Sequence, residues 1–357
     1  MKDKKLFLVI AVVLIVAAIT YINMKNARKI DDGNVEEIAS MQENERVIVK
    51  EAKYPRAREL VGIAGYINTE NITISENIGK KVILIDFWTY SCINCQRTLP
   101  YLNSWWEKYK DDGLLIIGIH TPEFEFEKDY ENVVKAVSKY KVKYPVAQDN
   151  DYKTWQAYRN RYWPRKYLID IDGFIVYDHI GEGSYEEIES RIQEALKERA
   201  IILGLQEEIN EGLTQEDNNG FSVLQTPEIY LGLLFSRKQL GNKEGWQADK
   251  IVEYKMPASI ERDKFYLEGS WKNNPDNMEL VSQEGRIKLR YYARDVNIVA
   301  GSSQETEIVV YLDGKEHRIV SINEFDLYNL VDLNEYGEHE LEIKASNGLM
   351  AYTFTFG

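Results

Sequence analysis

Both cysteines of this 357-residue chain fall within four positions, Cys92-Ile93-Asn94-Cys95. They come soon after the β-rich apolar run Val82-Ile83-Leu84-Ile85-Asp86-Phe87. They also open a stretch, Gln96 to Lys110, in which Leu99, Leu102, Trp105, Trp106 and Tyr109 recur at helical spacing. A thiol pair at a strand-to-helix junction constrains the chain more than any other feature. A thiolate at a helix N-terminus is stabilised by the unpaired backbone N–H groups and by the positive end of the helix dipole. A cysteine three residues on lies one turn away, in reach of a mixed disulfide formed at the first. Cys92 is therefore the expected nucleophile and Cys95 the resolving thiol, the two closing a redox-active disulfide; a static disulfide is the alternative. Two cysteines exclude a disulfide-rich scaffold and a four-cysteine zinc site, and a mixed zinc site would need two more ligands from only four histidines. No metal and no cofactor is implied.

Around this motif the pattern is α/β. Leu114 to Ile119 reads as a second buried strand and Asn132 to Tyr140 as a helix. Lys166–Ile171 and Phe174–Ile180 read as a hairpin turning at Asp172-Gly173, and Ser184 to Arg199 as a charged amphipathic helix. Residues 206–264 are irregular. From Phe265 onward short alternating runs separated by turn residues predict a β-sandwich. The N-terminus carries Lys2, Lys4 and Lys5 ahead of the uncharged run Leu6 to Ile22, which reads as a single-pass membrane anchor, or alternatively as a signal cleaved after Ala18. The expected organisation is an anchor (1–24), a polar tether (25–59), a redox domain (60–200), a connector (201–264) and the β-sandwich (265–357). A net charge of −14 argues against nucleic acid as a partner. The charge is uneven: residues 1–200 hold 31 acidic and 29 basic residues, residues 201–357 hold 27 and 15.

The stretch from Ile83 to Cys95, ILIDFWTYSCINC, resembles the active-site segment of the thioredoxin superfamily. More narrowly, DFWTYSCINCQRTLPYL, His120 to Glu127 (HTPEFEFE) and Trp163 to Asp170 (WPRKYLID) resemble the exported TlpA-like branch and the extracytoplasmic part of DipZ-type proteins. The resemblance spans about Gly62 to Leu196 and continues to the terminal Ala351 to Gly357. It implies a thioredoxin-like α/β domain followed by a β-sandwich similar to carbohydrate-binding modules. It also implies that Asp86 is the buried acid serving the resolving cysteine. The strand agrees, because Asp86 interrupts an apolar run where an unpaired carboxylate is costly and its pKa raised. Pro164 matches the cis-proline facing the cysteines, with Trp163 against the sulfurs, and Trp88, Trp163 and Pro164 are expected to face substrate. DipZ-type proteins carry a fused electron-conducting membrane domain. This chain has one hydrophobic segment, which implies a separate membrane electron donor of the CcdA/DsbD type.

The expected function is a membrane-anchored, extracytoplasmic thiol–disulfide oxidoreductase that reduces disulfides of exported client proteins. Ile93-Asn94 supplies no positive charge to hold a thiolate, which argues against a powerful oxidant. The alternatives are a thiol oxidase or peroxidase at the same site, or a surface protein binding glycan or protein through the sandwich. Thr89-Tyr90-Ser91-Cys92 satisfies half of a peroxiredoxin motif, but Ile85 stands where that motif has proline. Tyr266, Trp271, Tyr291 and Tyr292 read first as sandwich core and alternatively as a sugar-stacking platform. His120, Glu123, Glu125 and Glu127 either tune the cysteines or form a solvated loop with Phe124 and Phe126 tucked inside.

Overall fold

A computed structural model describes residues 35–206, 208–214 and 225–357. The apolar run Leu6 to Ile22 lies outside them, and no described helix is long and apolar enough to cross a membrane.

The first half is an α/β domain around a six-stranded sheet in the order β1-β4-β3-β2-β5-β6. The strands are β1 (Gly65–Ile67), β2 (Val82–Trp88), β3 (Leu114–His120), β4 (Val146–Gln148), β5 (Arg165–Ile169) and β6 (Ile175–Ile180). β2, β3 and β4 run parallel; β1, β5 and β6 each pair antiparallel with their neighbours. The two central strands β2 and β3 are buried along their whole length, as continuous apolar runs require. Side chains alternate between the faces of a strand. Val82, Leu84 and Trp88 therefore share a core with helix α3 (Ile93–Tyr109), α4 (Tyr130–Lys139) and α6 (Tyr185–Leu203). Ile83, Ile85 and Phe87 pack on the other face against Trp155, Tyr158 and Tyr167, around the short helix α5 (Lys153–Ala157). Asp86 belongs by parity to the first face. It is the one ionisable residue of its strand, set among side chains that carry α3.

Two helices occupy the segment expected to be a tether: α1 (Val35–Ser40) and α2 (Glu43–Glu51). Polar composition hid them because their anchoring is ionic. Lys50 Nζ sits 2.7 Å from Asp170, 2.8 Å from Asp172 and 2.6 Å from Glu198, and Arg46 makes a two-pronged contact with Asp172 at 2.7 and 2.8 Å. All are buried. The ammonium occupies the centre of three carboxylates that would otherwise repel one another.

The second half is β-rich. Strands β7 (Ile229–Tyr230), β8 (Ile251–Tyr254), β9 (Phe265–Asn273), β10 (Met278–Leu280), β11 (Glu284–Gly301), β12 (Thr306–Leu312), β13 (Lys315–Ile322), β14 (Asp326–Ser346) and β15 (Met350–Phe356) join in one hydrogen-bonded network. β11 pairs with β9 through its first half, with β15 through its second, and with β14 through most of its length. β10 closes the circuit between β9 and β15. β7 and β8 lie in the residues expected to be an irregular connector, so the sheet begins earlier than the composition suggests. Trp271 and Tyr291 belong to the core of this half and Tyr266 is buried, in line with the core reading of these aromatics and against the sugar platform.

Lys50→Ala is expected to destabilise the fold by about 3 kcal/mol at neutral pH, the usual result of removing one partner from a buried ionic cluster. Asp170 and Glu198, held up by burial and now without the opposing ammonium, are then easier to protonate folded than unfolded, while Asp172 keeps Arg46. The folded variant binds more protons, so its stability rises on acidification. Urea unfolding at pH 7 and pH 5 reads both effects.

Candidate active site

The sulfurs sit where β2 hands over to α3. Cys92 is the N-cap residue of α3, and its Sγ accepts a hydrogen bond from Cys95 N at 3.4 Å. Both thiols are free; Cys92 is half-buried and Cys95 is 1% exposed. Burial first, then the neighbouring Cys92 and Asp86, push the Cys95 thiol well above its ordinary range.

Asp86 is 1% exposed, and among the described residues neither carboxylate oxygen has a hydrogen-bond partner. Burial lifts its pKa to about 7, and Lys166 draws it the other way. Lys166 is the register partner of Asp86 across β2 and β5, with Nζ 3.9 Å from Oδ1 and equally little exposure. Its Nζ also donates to Gly181 O at 3.3 Å. Burial lowers the Lys166 pKa, while Asp86 and both cysteines act to raise it. No sequence motif marks Lys166. The available signal was a lysine at the head of an apolar strand, two residues beyond Pro164 and opposite the only acid in β2.

The loop from Thr89 to Ser91, which delivers Cys92, is gripped from below. Glu127 is fully buried and accepts from Ser91 Oγ at 2.6 Å and from the backbone N–H of Glu123 and Phe124 at 2.5 and 2.9 Å. His120 is buried beneath the loop, 3.4 Å from Thr89 Oγ1 and stacked on Tyr90. Burial lowers its pKa to about 3, so it is a neutral packing group at ordinary pH. The residues from His120 to Glu127 therefore do not form a solvated loop; among them only Glu125 is exposed. Phe124 and Phe126 reach from the first half into the second, against Tyr352, Phe325 and Phe235, while Phe126 keeps an edge-on contact with Tyr90.

Trp163-Pro164 is a cis peptide. Trp163 is half-buried, donates from Nε1 to Thr121 O at 3.0 Å, and lines a cleft of about 330 Å³ together with Cys92, Ile93 and Asn94. Trp88 is placed differently from the expectation that it faces substrate. It is fully buried at the end of β2, edge-on to His120, and is part of the core that supports the site. The remaining wall of the cleft comes from the β-rich half: Gln225 to Glu228, Tyr230, Thr355 and Phe356. Glu123, Glu182 and Glu228 give the cleft three carboxylates. The wall residues 225–230 lie in the segment read as irregular, and no sequence motif marked them.

Comparison with known proteins divides the chain in the same way. Residues 63–178 match the AhpC/TSA family, and residues 226–357 match the family described as thioredoxin like C-terminal domain. Protein DipZ of Mycobacterium bovis is 36% identical over 303 residues, which are 84% of this chain and 43% of that protein. The thiol-disulfide oxidoreductase YkuV of Bacillus subtilis is 29% identical over 39% of this chain and 93% of its own length. ResA of Bacillus cereus, also named a thiol-disulfide oxidoreductase, is 32% identical over 34% of this chain and 73% of its own. The chain thus spans less than half the length of its DipZ relatives.

Removing the ammonium from beside Asp86 leaves burial unopposed. Lys166→Met is expected to move the Asp86 midpoint from about 7 upward by about one unit, while Lys166→Arg keeps it nearer the native value. Carboxyl ¹³C NMR across pH 5–9 reads the shift.

Proposed function

We propose that this chain, a member of the thioredoxin superfamily whose first half is of the AhpC/TSA type, is a thiol–disulfide oxidoreductase that reduces client disulfides. One arrangement carries the reading: Cys92 at the head of α3 opens into a cleft, while Cys95 lies buried one turn behind it, over Asp86 and Lys166. The Cys92 thiolate attacks a client disulfide and forms a mixed disulfide, releasing one client sulfur. Cys95 gives its proton to the Asp86 carboxylate and attacks Cys92 Sγ. The second client sulfur leaves, and the Cys92–Cys95 disulfide remains. Asp86 serves as base only when ionised, which is why a partner as close as Lys166 matters. Trp163 forms the client-facing rim beside Cys92, with the buried Pro164 next to it in the chain.

The uncharged apolar run Leu6 to Ile22 supports membrane anchoring; Lys25, Arg28 and Lys29 beyond it balance the three leading lysines, so the extracytoplasmic side of the redox domain rests on the resemblance to exported proteins. Exported proteins bearing disulfides are then the clients. Electrons returning to the Cys92–Cys95 disulfide would come from a membrane donor of the CcdA/DsbD type. The β-rich half is read as a β-sandwich, with a glycan or protein as its further ligand.

Insulin disulfide reduction by the full chain is expected to vanish in Cys92→Ser. Cys95→Ser is expected to hold the client as a stable mixed disulfide, visible on a non-reducing gel. The resolution rate should climb with pH through about 7 as Asp86 loses its proton. Unchanged insulin reduction by Cys92→Ser would overturn the reading in favour of a binding protein, and hydrogen peroxide consumption through Cys92 would favour a peroxidase.

A further inference from the structure

Tyr230 Oη lies 2.7 Å from Glu123 Oε1 and 2.8 Å from Glu228 Oε2. A phenolic hydroxyl owns one proton and can donate it to one carboxylate only. At such distances the second glutamate meets the phenol oxygen favourably only if that glutamate is itself protonated and donates to it. Counting hydrogens at this one oxygen therefore requires a proton on the glutamate pair. The surroundings agree. Burial, chiefly, holds both glutamates above the ordinary carboxylate range, with Glu228 and Glu127 adding to it at Glu123, while Tyr230 and Arg237 oppose. Tyr152 also lies in the field of Glu123, and Glu182 and Cys92 share the cleft.

The pair is built in, not incidental. Glu123 comes from the loop after β3, whereas Glu228 and Tyr230 come from the β-rich half. Their backbone is fixed by Gln239, which donates to Glu228 O at 2.9 Å and accepts from Tyr230 N at 3.2 Å. All three side chains line the cleft into which Cys92 opens.

We propose that Glu123 and Glu228, bridged by Tyr230, form a proton-donating pair that protonates the client sulfur expelled by Cys92. The inference rests on the oxidoreductase reading above and assigns the β-rich half a part in its chemistry. The Cys92 thiolate bonds to one client sulfur while the client S–S bond breaks. The other sulfur departs with the bonding electrons and takes the proton, and the pair, left as two carboxylates, recovers a proton from water. An alkyl thiolate is a poor leaving group beside an aryl one, so the donor matters most for cysteine-like clients.

Two small neutral disulfides test this on the full chain: bis(2-hydroxyethyl) disulfide, which releases an alkyl thiol, and 2,2′-dipyridyl disulfide, whose leaving group needs no proton donor. Glu228→Gln and Tyr230→Phe are expected to slow the alkyl reaction at least about tenfold, with the dipyridyl rate nearly unchanged. The unchanged aryl rate also shows that the variants are folded and Cys92 reactive. In the native chain the alkyl-to-aryl rate ratio should fall as pH rises and the pair loses its proton; in both variants the ratio should be flat. Equal losses with both disulfides, no loss with either, or a pH-independent native ratio would overturn the proposal. Dipyridyl reactivity that survives Cys92→Ser would instead sink the oxidoreductase reading itself.

Discussion

Phe124 and Phe126 hold the two halves in one piece. They extend from the loop after β3 into an aromatic seat formed by Tyr352, Phe325 and Phe235, with ring centroids 4.8 to 6.1 Å apart. Full burial of such a ring is worth about 1.5–3 kcal/mol, and favourable ring pairs add about 0.5–1.5. The ion pairs along the same seam, Lys135–Glu324 and Lys139–Asp326, involve exposed lysines and contribute at most about 1 kcal/mol each. Apolar packing therefore sets the relative placement of the halves. The same loop carries Glu123 to the cleft and Glu127 to the underside of Ser91, and Tyr90 of the cysteine loop donates to Phe325 O at 3.3 Å. Seat, cleft and reactive loop are one construction.

Two clusters of buried charge show how geometry sorts structure from chemistry. Around Lys50 the contacts are 2.6 to 2.8 Å, and Asp172, held by both Lys50 and Arg46, stays below the usual carboxylate range. Asp86 has one cation 3.9 Å away and no hydrogen-bond donor among the described residues, so burial prevails and its pKa rises to about 7. The first arrangement fixes a helix. The second leaves an acid able to exchange its proton near neutrality, beneath a thiol that must lose one.

Local pattern revealed much of the α/β half. The apolar runs at Val82–Phe87 and Leu114–Ile119, the helical spacing after Cys95 and the Asp172-Gly173 turn each appear where expected. Periodicity could not reveal what is held by long-range charge. Helix α2 has little apolar face, and its reason to fold is more than a hundred residues away, at Asp170, Asp172 and Glu198. Trp88 looked accessible because it borders the motif, yet strand parity turns it into the core. Cys92, Cys95 and Asp86 could be read from spacing and resemblance. Lys166, Glu228 and Tyr230 could not, because only the register of β5 on β2 and of β7 on β15 brings them to the site.

The burial of Cys95 has a consequence for turnover. On the dithiol reading, every electron entering or leaving the chain must cross one sulfur, Cys92, through one walled cleft. Client and reductant then take turns at a single berth, the first departing before the second docks. Such an order makes each a competitor of the other. A client that lingered would starve the enzyme of reductant, so rapid release serves throughput better than tight grip.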